Sequence, residues 1–394
     1  MLFQTLDDKA ECLGVYAQGV IHWDAYPAEI SRTWSYSPGL AGHDIDYAQM
    51  RCGGLSLNEV CPPELKSDWD SITKRMRAYL TSFGEAKISL EEHCFYSLVP
   101  ERFLVDLCEI KNKICQHVFE NYPKPDNYDF MLKVVEMAGD ISTQKLNVNK
   151  SSLRPHLGTI KGRSLWKNID VMGKHVKYNP YGTKTGRLST VKGSFPILTL
   201  NKSFRDVLTP NHDWFVELDF NAAELRTLLA LAGEAQPEED IHAWNIKNVY
   251  GNSLSREEAK QRIFAWLYNP AASDRASSDV YKRDKVLGQY WDGGSIRTPF
   301  QRTIEADKKH ALNYLVQSTS SDIFLDRAVA IHNYLKNKKS QISMLIHDSV
   351  VLDVADCDLS DLKEMVEIFS NTPYGKYKVG VSVGKSFGDM RKVR

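Results

Sequence analysis

Phe215-Val216-Glu217-Leu218-Asp219-Phe220-Asn221-Ala222-Ala223-Glu224-Leu225-Arg226 is the stretch whose reading decides the fold. Phe215, Val216, Leu218 and Phe220 are apolar and predict a strand. From Asn221 the pattern turns into the helical run Glu224-Leu225-Arg226-Thr227-Leu228-Leu229-Ala230-Leu231. Asp219 therefore ends a strand, and Glu224 opens a helix whose dipole favours negative charge there. Strand ends that face helix starts commonly hold a metal-bound phosphate. An Asp at a strand end and a Glu in a first helical turn are also ordinary boundary and capping residues, so the stretch alone leaves both readings open.

The 394 residues are 42% hydrophobic, enough to bury a sizeable core divided into two or three subdomains. Fifty basic residues balance fifty acidic ones, so bulk charge lends no support to nucleic-acid binding, and such a partner needs a local basic patch. The seven cysteines, Cys12, Cys52, Cys61, Cys94, Cys108, Cys115 and Cys357, form no C-x-x-C pair and read as reduced thiols of a cytosolic protein. No apolar run reaches membrane-spanning length, and Asp7, Asp8 and Glu11 stand where a signal peptide would be basic.

Outward from the opening stretch, residues 1 to about 80 read as a small unit. Its hairpin joins Glu11–Ala17 to Val20–Trp23 across Gln18-Gly19, and Trp23, Tyr26, Trp34 and Tyr36 read as packing residues. From about 84 to 146 the pattern is helical, with Phe103, Leu104, Leu107, Cys108, Ile110 and Ile114 at three- and four-residue spacing and a break at Pro123-Lys124-Pro125. Between Lys150 and Arg187 nine cations accompany the single acid Asp170, a focused patch suited to a phosphate backbone or to a solvated loop. A helix spans Arg256 to Tyr268, ended by Asn269-Pro270, and carries Arg256, Lys260, Phe264 and Tyr268 on one face. Asp292-Gly293-Gly294 predicts a hairpin turn, and a helix from about Glu305 to Leu335 carries Lys309, Asn313 and Gln317 as a polar stripe. Two apolar strands then flank His347-Asp348-Ser349, with a helix near Leu359–Phe369 and a last strand near Lys376–Gly384.

In this order the motifs resemble those of the family A, or polymerase I, DNA polymerases over roughly residues 90 to 394. The matching pieces are Thr183-Lys184-Thr185-Gly186-Arg187-Leu188-Ser189, then Asp219 with Glu224-Leu225-Arg226, then the Arg256, Lys260, Phe264, Tyr268 face. Asn313 with Gln317, the strand-borne His347-Asp348 and the terminal Gly384-Lys385-Ser386-Phe387-Gly388 complete the set. The resemblance implies an α+β right-hand fold with a palm of antiparallel sheet plus helices, fingers, a thumb and a small N-terminal α/β subdomain. Residues 1–85 would be that subdomain, 86–175 a thumb-like helical region with the basic segment, 176–232 and 305–394 the palm, and 233–304 the fingers.

It also implies template-directed addition of deoxynucleoside triphosphates to a primer 3′ end. Two Mg2+ ions, replaceable by Mn2+, would be held by Asp219, Asp348 and the backbone carbonyl of Phe220. Arg256 and Lys260 would take the triphosphate, Lys260 also protonating the leaving pyrophosphate, while Phe264 and Tyr268 pack beside sugar and base. Glu224 beside Tyr268 would crowd a ribose 2′-hydroxyl. Arg187, Asn313 and Gln317 would check base-pair shape from the minor groove, with Thr185, Lys309 and His347 on primer or template. The implied partners are primer-template DNA and deoxynucleoside triphosphates, with helicase, primase or other replication proteins beyond them. The implied setting is a monomer, away from membranes, in bacterial or phage-infected cytoplasm.

Three departures accompany the resemblance. Ser349 stands where most of the family carries a glutamate, as in single-subunit RNA polymerases, which keeps an RNA polymerase as an alternative. The stretch from Tyr268 to Asn313 is short, implying trimmed fingers. No Asp-x-Glu strand with downstream acids occurs in residues 1 to 90, implying synthesis without proofreading or 5′ nuclease activity. A catalytically silent primer-template binding protein is the alternative from another class.

Overall fold

The computed structural model describes residues 1–8, 14–23, 26–90, 92–170, 172–269 and 271–393. The chain divides into two units, Met1–Thr143 and Gln144–Arg394.

In the first unit, β1 (Phe3–Leu6), β2 (Gly14–Ala17) and β3 (Val20–His22) form an antiparallel sheet in that order. Gln18 and Gly19 both take positive φ, 50° and 86°, which closes the expected hairpin between β2 and β3. The earlier part of that strand, Glu11 to Leu13 with Cys12, lies outside the described residues. Then come α1 (Lys66–Glu85), α2 (Glu101–Asn121) and α3 (Tyr128–Thr143). The stripe Phe103, Leu104, Leu107, Cys108, Ile110 and Ile114 of α2 is buried in one core with Leu6 and Tyr16 of the sheet. Gln4 of β1 donates to Asn112 of α2 at 2.9 Å. α2 and α3 thus belong to the first unit, and the boundary at 143/144 divides the stretch 86–175 expected as one thumb-like region.

The second unit opens with α4 (Ile160–Asn168) in the basic segment. It continues through β4 (Trp214–Phe220), α5 (Ala223–Leu231), α6 (Ile241–Asn248), α7 (Arg256–Tyr268), α8 (Arg275–Tyr281) and α9 (Arg283–Tyr290). A hairpin of β5 (Ser295–Arg297) and β6 (Thr303–Glu305) precedes the long α10 (Ala311–Leu335). The chain closes with β7 (Gln341–Ile346), β8 (Ser349–Val354), α11 (Leu362–Ser370), β9 (Val379–Gly384) and β10 (Arg391–Lys392).

Five of these strands make one antiparallel sheet in the order β7-β8-β4-β9-β10. β4 is central, with Asp219 directly opposite Ser349 on β8 and Gly380 on β9. Its apolar residues Phe215, Val216, Leu218 and Phe220 are buried. Phe220 stacks on Phe369 of α11 at 4.3 Å, which pins the strand end from behind, and Phe387 of the closing segment packs edge-on to Phe215 at the other end. A further core joins Leu225, Leu228 and Leu229 of α5 to Ile263, Trp266 and Leu267 of α7 and to Leu315 and Val316 of α10.

Several boundaries differ from the expectation. α10 begins at Ala311, not near Glu305, because Thr303–Glu305 is spent on the hairpin and Asp307 turns the chain by accepting from the His310 N–H at 2.9 Å. Lys309 therefore lies in a turn ahead of the helix that was to carry it. Asp292-Gly293-Gly294 does form a turn, Asp292 accepting from the N–H groups of Gly294 and Ser295 at 2.8 and 2.6 Å. Residues 275–290, read only as polar and basic, form α8 and α9. α11 starts at Leu362 after a 3-10 turn, and the last long strand starts at Val379. Helix α7 runs from Arg256 to Tyr268 as expected, while Pro270 lies outside the described residues. Among the described residues no helix is long and apolar enough to cross a membrane.

Candidate active site

Two acids meet where β4 ends and β7 turns into β8. Glu217 and Asp219 alternate with the buried residues of β4 and face away from the core, and Asp219 is exposed. His347 and Asp348 form the two-residue link between β7 and β8, His347 in the left-handed region at φ 55°. The Phe220 N–H lies 3.5 Å from the Asp348 carbonyl, so the two aspartates come from adjacent strands at one level of the sheet. Desolvation against the sheet, then the negative charges of Asp348 and Glu217, raise the Asp219 carboxyl to about 7. Burial also raises Asp348 above the ordinary carboxylate range. Ser349, opposite Asp219, donates its hydroxyl to Glu217 at 3.1 Å, so the serine engages a third acid on the same face.

The position of this link is held from the sheet edge. β7 is an edge strand, and the buried Tyr178 hydroxyl both donates to the Leu345 carbonyl at 2.7 Å and accepts from the Leu345 N–H at 2.8 Å. Tyr178 thus supplies the ladder partner that β7 lacks on that side, two residues before His347.

Beside the aspartates opens a cleft of about 280 Å3, lined by Arg187, Glu224, Phe264, Tyr268, His347 and Asp348, with Ser320, Ser321 and Phe324 from α10. Glu224 bonds to two of the other lining residues. One carboxylate oxygen accepts from the Tyr268 hydroxyl and the other from the Arg187 guanidinium. Burial raises the Glu224 carboxyl, and the Arg187 charge works against that rise. Phe264 and Tyr268, one turn apart on α7, lie nearly parallel at 5.8 Å.

Arg187 is aimed by its neighbours. Gly186 takes φ +76°, and a Cβ there would come within 2.6 Å of the Arg302 guanidinium. Arg302 is itself held by Asp322, buried within α10, at 2.8 Å, and Ser321 donates to the Gly186 carbonyl at 3.1 Å. Thr185 is buried beside this turn. The basic loop is thereby tied to the middle of α10. Asn313 and Gln317 continue toward the helix start from Ser320, Ser321 and Phe324 at three- to four-residue spacing, so they share that face without lining the cleft. The Oδ1 of Asn313 is buried with no hydrogen-bond partner among the described residues.

Helix α7 starts with a capping box, Ser255 and Glu258 each accepting from the other's N–H. Arg256 pairs with Asp240 at 3.2 Å, and Lys260 is exposed one turn further along. His242 was not picked out from the sequence. It is buried near Phe264, at 5.9 Å between rings, with an Nδ1 that has no hydrogen-bond partner among the described residues. Burial, with Arg256 and Lys260 close by, lowers its pKa. The only sequence signal was its place two residues after Asp240, whose carboxylate caps α6.

Two carboxylates of hard oxygen donors, one raised by the other's charge, form a donor set that fits Mg2+ completed by phosphate oxygens and water. No group of three or more His, Cys, Asp or Glu suited to a metal occurs among the described residues.

No family model matches the chain. It is 22% identical over 266 residues to the DNA polymerase I of Chloroflexus aurantiacus, covering 54% of this chain and 28% of that protein. It is 24% identical over 218 residues to the DNA polymerase of Mycobacterium phage D29, covering 45% of this chain and 35% of that protein. The chain thus spans about a third of the length of these relatives. Among solved structures, the POL domain of Pol1 from M. smegmatis, in complex with DNA primer-template and dNTP, superposes with a TM-score of 0.58 at 14% identity, over 73% of this chain and 76% of that one. The fold is that of a DNA polymerase I polymerase domain. The resemblance read from the ordered motifs therefore stands both in the relatives and in the fold. In that fold the antiparallel β7-β8-β4-β9-β10 sheet with α10 and α11 corresponds to a palm-type layer.

Proposed function

We propose that the chain is a DNA-directed DNA polymerase that extends a primer 3′ end with deoxynucleoside triphosphates. The observation that carries this reading is a cleft lined by Asp348 together with Phe264 and Tyr268 of α7, with Asp219 next to Asp348 across the sheet. In this reading β4, α5, α10 and the C-terminal strands serve as palm and residues 233–304 as fingers. The basic segment of α4 lies along the primer-template.

Asp219 and Asp348, with the Phe220 carbonyl, are the groups that would hold Mg2+. When bound, the metal activates the primer hydroxyl and stabilises the leaving pyrophosphate. The chain's own residues do the rest. Arg256 and Lys260 on one helix face offer fixed positive charge to the triphosphate. Lys260 is the candidate proton donor to the departing pyrophosphate oxygen. The Phe264 and Tyr268 rings offer a stacking surface to the incoming base and sugar. Glu224, fixed by Tyr268 and Arg187, crowds a ribose 2′-hydroxyl. Arg187, Asn313 and Gln317 present donors to minor-groove acceptors that every correct pair offers, and Thr185, Lys309 and His347 meet the primer or template backbone.

Primer extension by the purified chain, with Asp348→Ala as control, tests the reading. Extension by wild type and none by the variant is expected, whereas equal primer-template binding without extension by either would leave a binding protein. Preferential use of ribonucleotides would instead favour an RNA polymerase. Excision of mismatched 3′ ends would overturn synthesis without proofreading.

A further inference from the structure

Arg256 is the first residue of α7, where the helix dipole disfavours a cation. Its guanidinium is half-exposed and meets two acids, Asp240 at 3.2 Å and Glu257 at 3.6 Å. Glu257 is a surface neighbour on the same helix, 72% exposed, and a pair that open to solvent fixes little. Asp240 is different, because every one of its bonds is anchored. Oδ1 accepts from the N–H groups of His242 and Ala243, both at 3.0 Å, capping α6. Oδ2 accepts from the Asn221 side-chain amide at 2.8 Å and from Arg256.

Asn221 directly follows the end of β4, two residues after Asp219. Its own Oδ1 accepts from the Ile241 N–H at 2.9 Å and from Arg226 at 3.2 Å. Arg226 is fully buried and directs three further donors at the carbonyls of Asn221, Pro237 and Glu239 at 2.8–2.9 Å. The chain of bonds Arg226–Asn221–Asp240–Arg256 thus runs from the strand that carries Asp219 to the first turn of α7.

We propose that Asp240 is a positioning residue that registers Arg256 against the end of β4, presenting its guanidinium to the triphosphate of the incoming nucleotide at a fixed distance from Asp219. The inference rests on the polymerase reading for the identity of the ligand. It rests on geometry alone for the statement that Asp240 acts through Arg256. The anion that a cation at a helix start requires is supplied by Asp240 before a triphosphate arrives and is shared with it afterwards, so the side chain need not be ordered at the moment of binding.

The test is a double-mutant cycle on the full chain with D240N, which keeps an oxygen for the α6 cap but removes the charge, together with R256A. Nucleotide KM and kcat are read by primer extension, and binding of inorganic tripolyphosphate by calorimetry. The expected result for D240N is a rise in KM and in the tripolyphosphate Kd of roughly fivefold to thirtyfold, with kcat within about threefold of wild type. In the R256A background D240N adds less than twofold. D240S, which also caps a helix start, gives the same pattern and serves if D240N melts early. Unchanged affinity in D240N and D240S, losses that add to those of R256A, or a wild type that binds no tripolyphosphate would each overturn the inference. If wild type extends no primer, the polymerase reading fails, and the calorimetric cycle still decides for or against Asp240.

Discussion

The Tyr268 hydroxyl donates to the Glu224 carboxylate and so closes the last turn of α7 onto the first turn of α5. The second Glu224 oxygen accepts from Arg187, so each carboxylate oxygen is engaged within the protein and the side chain is held at both ends of its carboxylate. A ligand hydroxyl arriving there meets the bulk of a carboxylate fixed in place. Glu224→Ala should raise ribonucleotide use relative to deoxynucleotide by roughly tenfold or more while slowing deoxynucleotide addition by less. Competitive extension with both nucleotide types measures the ratio, and an unchanged ratio would remove Glu224 from selection. Tyr268→Phe, which keeps the ring and loses the bond, should give a smaller change in the same direction.

Asp219 predicts a pH effect whose sign follows from its raised pKa. An unfolded aspartate titrates near 4, whereas the folded one holds its proton to about 7. Between those values the folded chain binds more protons than the unfolded chain, so stability falls as pH rises through that window and is flat above it. In the presence of a chelator, Asp219→Asn should therefore melt above wild type at pH 8 and show no such advantage near pH 4. Adding Mg2+ at pH 8 should stabilise wild type and leave the variant unmoved. Primer extension by the variant should be lost.

Arg302 and Asp322 support the turn that carries Arg187. Asp322→Asn removes the charge that pairs with a largely buried guanidinium, which should lower stability by about 3–5 kcal/mol in chemical denaturation. Gly186→Ala strikes the same place from the other side, through its positive φ and the 2.6 Å approach to Arg302. Its cost should be at least about 1–2 kcal/mol, with loss of the Arg187–Glu224 pair. If the variant melts like wild type, the turn does not depend on this packing.

Tyr178→Phe removes one hydroxyl and strands both backbone groups of Leu345 on the edge of the sheet. The expected loss is about 1–3 kcal/mol, with faster amide exchange along Gln341–Ile346 as the local signature. Equal exchange in the two proteins would mean that the edge is satisfied in another way.

Much of the core of this fold was legible in the chain. Alternation in Phe215–Phe220, the helical run at Arg256–Tyr268 and the paired apolar strands around His347-Asp348 are local signals, and the structure bears out those elements because each pattern agrees with its local propensity. α8 and α9 were missed because their segments are polar, with only Ser277, Tyr281 and Val286 buried between them. The early start expected for α10 ignored the hairpin that consumes Thr303–Glu305, and α2 showed an apolar face without naming the sheet that covers it.

The sequence by itself determined which residue types the site contains, since motif order and spacing carry the aspartates, the cations of α7 and the Thr185–Arg187 turn. It also determined that Asp219 ends a strand and that Arg256 opens a helix. Only the tertiary structure decided which of these meet. Asp219 and Asp348 lie 129 positions apart in the chain, yet are adjacent through the register of β4 on β8. The joining of Glu224 to both Tyr268 and Arg187, the hold of Tyr178 on β7, the packing of His242 near Phe264 and the bonds of Asp240 have no local pattern. The physical reason is that a hydrogen-bonding side chain is specified by its partner. When the partner lies on another strand or helix, only the folded sheet and its packed helices bring the two within reach.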